Sequence, residues 1–257
     1  MQIHVESSGE RLGAGHVENR RHYKYYDLVM AGFVTVLLCS NMIGPGKACA
    51  VTLPFALPIL GSTISFGAGN LFFPISYIFG DILTEVYGYA RARKVIWSGF
   101  AAMLFYVLMS QVVIRMPADP GEKYNEIIQP ALVTVFGAGW RIVSASILGF
   151  WAGDFVNSFV LAKMKVLTRG RWLWSRTITS TLAGQAVDSV IFYPLAFGGV
   201  WQTDTMMRVV AFNLAFKVAV EVVFTPVTYV VVNTLKRVEN EDYYDRATNF
   251  TPFSLKD

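Results

Sequence analysis

The sequence predicts an all-α integral membrane protein of six transmembrane helices, with both termini cytoplasmic and a Pro/Gly-rich extended segment between helices 1 and 2. Three observations predict it. Of the 257 residues 54% are hydrophobic and only 16% charged, against about 25% charged in soluble domains. The charges fall in blocks parted by long apolar runs. The Lys and Arg residues are divided very unequally between alternate blocks. The 14% aromatic content excludes a disordered chain. Two cysteines and 21 glycines without a period exclude disulfide-framework and collagen-like chains.

Each helix follows from a run that water would not tolerate. Leu28 to Gly46 is uncharged and gives helix 1, about 26–45. Ala48 to Gly80 is also uncharged, but its first part carries Pro54, Pro58, Gly61, Gly67 and Gly69. That density breaks a helix, so residues 48–69 read as extended or re-entrant, with strand-like pieces, leading into helix 2 at 68–89. Val95 to Ile114 gives helix 3 (94–115), and Ile142 to Ala162, broken only by Asp154, gives helix 4 (140–163). Thr177 to Thr203 is broken only by Asp188 and gives helix 5 (174–200). Val209 to Leu235, with Lys217 and Glu221, gives helix 6 (207–235). Each run reaches the roughly 20 residues that a membrane crossing needs. Tyr124 to Phe136, short and holding Pro130, reads as a surface helix. The expected organisation is a polar tail at 1–25, the bundle at 26–236 and a second tail at 237–257.

Orientation follows from the positive charges. With the N-terminus inside, inner segments hold sixteen Lys and Arg, outer segments hold five, and Lys217 lies within a helix. The net charge of +4 is then a matter of topology and requires no nucleic-acid partner. The basic run Lys163 to Arg176 reads as a solvated inner loop facing anionic lipid. Residues 1–22 lack the apolar core of a signal peptide.

Soluble catalytic machinery is missing from the pattern. Gly44 to Ala48 lacks Walker A spacing, and no GxGD protease motif occurs. All three histidines lie in the N-terminal tail, and Cys39 and Cys49 have neither CxxC spacing nor a nearby histidine. The sequence therefore indicates no catalytic residue, no metal site and no cofactor, and the chain does not read as an enzyme.

The functional signal is the set of ionisable groups at membrane depth, each costing at least about 2.5–3.5 kcal/mol there. Tyr77, Asp81 and Glu85 follow one another at four-residue spacing; Asp154 and Asn157, and Gln185 and Asp188, are three apart; Lys217 and Glu221 are four apart. Such spacings share a helix face, so four helices each present a polar patch to the interior. Helices 1 and 3, uncharged at depth, read as packing or lid elements. Pairing alone does not account for five acids against one lysine. Aromatic Tyr77, Phe192 and Tyr193 share segments with the acids, a setting for a planar, donor-rich ligand. Pro74, Pro194 and Pro226 interrupt these helices, as transporter sites often require. Gly149 and Gly153 form a GxxxG, which permits close helix contact.

The segment FPISYIFGDILTEVYGYARARKVIW from Phe73 resembles the signature of the bacterial queuosine precursor transporters, six-helix relatives of vitamin-uptake transporters. The resemblance continues through AGDFVNSFVLAKMKV from Ala152, GQAVDSVIFYPLAF from Gly184 and LAFKVAVEVVFTPVTYVVVN from Leu214. It implies a multi-pass protein of the bacterial inner membrane that imports 7-cyano-7-deazaguanine, with 7-aminomethyl-7-deazaguanine as a second candidate, for tRNA queuosine salvage by alternating access. The implied partners are this small deazaguanine and the lipid bilayer, without nucleic acid; a homodimer stays open. On this resemblance the substrate-binding set is Tyr77, Asp81, Glu85, Asp154, Asn157, Gln185, Asp188, Phe192, Lys217 and Glu221. Asp81 and Glu85 take the donor edge or amine, Gln185 and Asp188 the opposite edge, and Tyr77 and Phe192 stack. Asp154 and Asn157 complete the cavity, and Lys217 balances charge. The rival readings are a transporter, or an importer's binding subunit, for another small nitrogenous solute or vitamin, an ion channel, and an intramembrane enzyme.

Overall fold

The computed structural model describes residues 23–43, 48–57, 61–67, 72–137, 140–200 and 202–254. Of the N-terminal tail expected at 1–25, residues 1–22 lie outside the described residues. Helix α1 (Tyr26–Ile43) is followed by two antiparallel strands, β1 (Ala48–Leu57) and β2 (Gly61–Gly67), then α2 (Phe73–Tyr87) and α3 (Tyr89–Arg115). A short α4 (Asn125–Phe136) precedes α5 (Trp140–Leu167), α6 (Leu173–Phe197) and α7 (Thr203–Glu239). Sequence helices 4, 5 and 6 are thus α5, α6 and α7.

The Pro/Gly-rich segment is extended, and its register runs from Ala48 opposite Gly67 to Thr52 opposite Thr63. Pairing loses register between Thr52 and Leu57, the stretch holding Pro54, which has no N–H for a ladder. Helix α2 opens with Pro74 in its first turn, where no intrahelical N–H is needed. It stops at Gly88, whose φ of +86° favours glycine and where a Cβ would run into the ring of Tyr243. Helix α4 has no buried residue and lies on the surface, as its length suggested.

Among the described residues three helical stretches are long and apolar enough to cross a membrane: Tyr89–Arg115, Arg141–Leu167 and Val209–Glu239. Helix α1 is apolar but shorter. At 15 residues, α2 rises about 22 Å, less than a hydrocarbon core of about 30 Å. The 25-residue α6 has the length but carries Arg176, Gln185, Asp188 and six serines and threonines. Phe105, Leu108 and Val112 on α3 and Val223, Val227 and Val230 on α7 stand exposed, which suits lipid contact far better than water.

The core joins Phe33 and Leu37 of α1 to Ile82, Leu83 and Val86 of α2, Val95 of α3 and Val232 of α7. Helices α5 and α6 cross closely. A Cβ on Gly184 would meet the Gly153 carbonyl oxygen at 2.7 Å and Asn157 Cβ at 2.9 Å. The GxxxG glycines thus serve a contact within the chain: Gly149 and Gly153 both face Asp188 of α6.

Two expectations about the inner side need correction. Lys165 and Arg176, assigned to a solvated basic loop, are each 1% exposed; only Lys163, Arg169 and Arg171 of that run face outward. The C-terminal segment is also not a free tail. Helix α7 continues to Glu239, and the following residues turn back over α3. The Asp245 carboxylate accepts the Tyr89 N–H, and Arg93 donates to the carbonyls of Asn249 and Thr251 at 2.7 and 2.8 Å. Trp97 Nε1 donates to the Pro252 carbonyl at 2.9 Å. The Tyr89 N–H, one Arg93 Nη and the Trp97 indole N–H of α3 are thus satisfied by this segment.

Candidate functional site

Three successive turns of α2 organise the interior, because Tyr77, Asp81 and Glu85 lie about 6 Å apart along one face. Each turn sits in a different environment.

At the Tyr77 level is a cavity of about 230 Å³. Its walls include Phe73 and Tyr77 of α2, Asp188, Phe192 and Tyr193 of α6, Asn213 and Lys217 of α7, and Ser40 and Asn41 of α1. Lys217 Nζ lies 3.6 Å from Asp188 Oδ2, donates to Gln185 Oε1, and stands 5.3 Å from the Tyr77 ring centroid. The Asn213 amide donates to the Tyr193 hydroxyl. One wall is therefore an ion pair with amide and hydroxyl partners, and the other is aromatic. Flat faces beside fixed donors and a carboxylate can hold a planar molecule with N–H groups on its edge.

At the Asp81 level the side chains are buried and polar. Asp81 is fully buried and accepts from the Asn157 amide of α5 at 2.8 Å. Its second oxygen, the Asn157 carbonyl oxygen and Glu221 Oε1 of α7 have no hydrogen-bond partner among the described residues. Asp154, also buried, feels the charges of Asp188 and Lys217.

At the Glu85 level the surroundings turn cationic. Glu85 Oε1 is 2.8 Å from Arg176 of α6, 2.6 Å from Lys236 of α7 and 3.6 Å from Lys165 of α5. Asp242, just past α7, joins Lys165 at 2.6 Å and Lys236 at 2.8 Å. Lys165 also donates to the carbonyls of Glu85 and Tyr243. Partial burial pushes the Asp242 carboxyl up, but the two lysines outweigh it and hold the group below the ordinary carboxylate value.

Of the ten residues singled out from sequence, Tyr77, Asp188, Phe192 and Lys217 line the cavity, and Gln185 reaches it through Lys217. Asp81, Asn157 and Glu221 lie in the layer beneath, with Asp154 between the two. Glu85 belongs to the buried charge cluster with Arg176, Lys165 and Lys236. Sequence reasoning missed Ser40, Asn41, Ser189 and Asn213 on the cavity wall. The search at depth started from ionisable groups and their near neighbours on the helix, and these residues are neutral. Asn213 was findable, four residues before Lys217 and so on the same face.

The family described as "Putative vitamin uptake transporter" matches residues 67–231, which contain all three layers up to Glu221. The chain belongs to that family. It is 29% identical over 203 residues to the "Probable queuosine precursor transporter" of Bacillus subtilis (strain 168), covering 78% of this chain and 81% of the relative. It is 27% identical over 190 residues to the "Queuosine precursor transporter" of Escherichia coli (strain K12), covering 72% and 79%. No solved structure matches. The family resemblance read from the four sequence motifs is supported. Among the described residues no group of three His, Cys, Asp or Glu is placed to hold a metal ion.

Proposed function

We propose that this protein imports deazaguanine-type queuosine precursors across the bacterial inner membrane, with six crossings and both termini in the cytoplasm. The carrying observation is the cavity between α2, α6 and α7, where the Lys217–Asp188 pair faces Tyr77, Phe192 and Tyr193. The names of the two relatives support the substrate class. A cavity of about 230 Å³ lies below the usual range of roughly 300–1,000 Å³ for ligand pockets, which suits one bicyclic base better than a nucleotide.

On this reading a deazaguanine slides between the rings and gives its ring N–H and exocyclic amine to Asp188. Lys217, freed in part from that carboxylate, donates to the ring's acceptor edge. Each charge-assisted hydrogen bond contributes about 1.5–3 kcal/mol. The empty cavity keeps its own charges paired, so no bare ion waits in the membrane. The buried Glu85 cluster and the docked C-terminal segment close the cytoplasmic side, and transport requires that closure to open once the cavity has filled.

Uptake of radiolabelled 7-cyano-7-deazaguanine by cells with and without the protein tests the reading. The expected result is saturable uptake that excess unlabelled 7-aminomethyl-7-deazaguanine displaces. Displacement by a vitamin but not by a deazaguanine would instead favour import of another nitrogenous solute.

A further inference from the structure

The layer beneath the cavity is not explained by substrate binding. Asp81 and Glu221 are 0% and 1% exposed, and no Lys, Arg or His lies within 4 Å of either among the described residues. The charge acting most strongly on Asp81 is that of Glu221, with Asp154 and Glu85 adding the same sign. The hydrogen-bond partners of the pair are neutral, Asn157 of α5 for Asp81 and Thr177 of α6 for Glu221, and Lys217, one turn from Glu221 on α7, is engaged by Asp188 and Gln185. The cations of the next layer, Arg176, Lys165 and Lys236, are engaged by Glu85.

Two neighbouring carboxylates buried from water, with no cation within 4 Å among the described residues, cannot both hold a charge, since desolvation and repulsion add. Hydrogen bonding relieves only part of this cost. Asn157 satisfies one Asp81 oxygen, while Asp81 Oδ2, Asn157 Oδ1 and Glu221 Oε1 stay unpartnered. A proton bound there supplies the missing donor. A metal ion is the weaker occupant, because no three acidic groups converge on one point among the described residues.

We infer that Asp81 and Glu221 form a proton-binding site, one turn below the substrate cavity on both α2 and α7, through which precursor import is coupled to protons. This rests on the transport reading above and adds the energy source to it. One carboxylate takes up a proton while the cavity communicates with the outside and releases it as an aqueous proton to the cytoplasm; only the O–H bond is made and broken. Tyr77 to Asp81 and Lys217 to Glu221 are each four residues apart, so filling of the cavity and occupancy of the proton site act on the same two helices.

The test uses the full-length protein in proteoliposomes with a trapped pH dye and labelled 7-cyano-7-deazaguanine. Acidifying the outside is expected to drive accumulation at least tenfold above equilibrium, and adding precursor is expected to acidify the lumen. Asp81→Asn and Glu221→Gln are expected to lower the ratio of gradient-driven uptake to precursor counterflow at least tenfold. Wild-type counterflow without acidification or accumulation overturns the proton proposal alone, and so does accumulation that follows a sodium gradient. Absence of wild-type counterflow overturns the substrate reading and the coupling with it. The wild-type measurement decides the matter even if a variant does not fold.

Discussion

Lys217 of α7 and Asp188 of α6 meet at 3.6 Å in the wall of the cavity, with the lysine 13% and the aspartate 19% exposed. A partly exposed pair of this kind is stable when empty and can still exchange a partner for a ligand.

Removing the charge of Asp188 should therefore weaken the substrate more than the fold. Asp188→Asn keeps the shape and loses a charge-assisted acceptor of about 1.5–3 kcal/mol, on the order of a 10- to 100-fold rise in the precursor concentration for half-maximal uptake. Uptake kinetics in cells with matched protein levels would show it. An unchanged value removes Asp188 from the site.

The inner cluster should respond differently. Glu85→Gln leaves the buried Arg176 and Lys165 and the half-buried Lys236 without their common carboxylate, a loss on the order of 3–5 kcal/mol. The expected signature is a lower melting temperature in detergent, with precursor affinity changed less than twofold. A lowered affinity at unchanged stability would place Glu85 with the substrate instead.

Asp242 gives the cluster a pH dependence of known sign. Its carboxyl titrates below the ordinary value of 3.8 in the folded protein, so its stabilising contribution is complete above that value and fades as pH falls through the lower folded one. Asp242→Asn should lower the melting temperature by a constant amount above about pH 5, with the gap to wild type closing in stronger acid. A gap that widens in acid has the wrong sign for this pairing.

The α5–α6 crossing offers a packing test. Gly184→Val would put atoms where the Gly153 carbonyl oxygen already stands, 2.7 Å from the Cβ position, and overpacking of this sort costs about 1–3 kcal/mol or more. Size-exclusion profiles should show loss of monodisperse protein, whereas Gly80→Ala, whose Cβ would make an ordinary 3.9 Å contact with the Phe33 ring, should keep the profile.

Much of this was legible in the sequence because burial in lipid leaves few ways to place a charge. Helix spacing alone put Tyr77, Asp81 and Glu85 on one face, and the proline and glycine content gave away the extended segment before α2. What spacing does not show is depth. Asp188 and Glu85 look alike as isolated acids, yet one lines a cavity and the other is ringed by cations from three other helices, a difference set by which residues α6 and α7 bring opposite. Arg176 and Lys165 were hidden for the same reason: a basic run reads as solvated until a buried carboxylate is found facing it. The docking of residues 241–254 depends on buried donors at Arg93 and Trp97 that no local pattern marks.

The most direct test of import is made in a bacterial strain that cannot synthesise deazaguanine and is given low external precursor. Queuosine in its tRNA, measured by mass spectrometry of digested nucleosides, should return when this protein is expressed and stay absent without it. Equal queuosine in both strains would contradict the assignment.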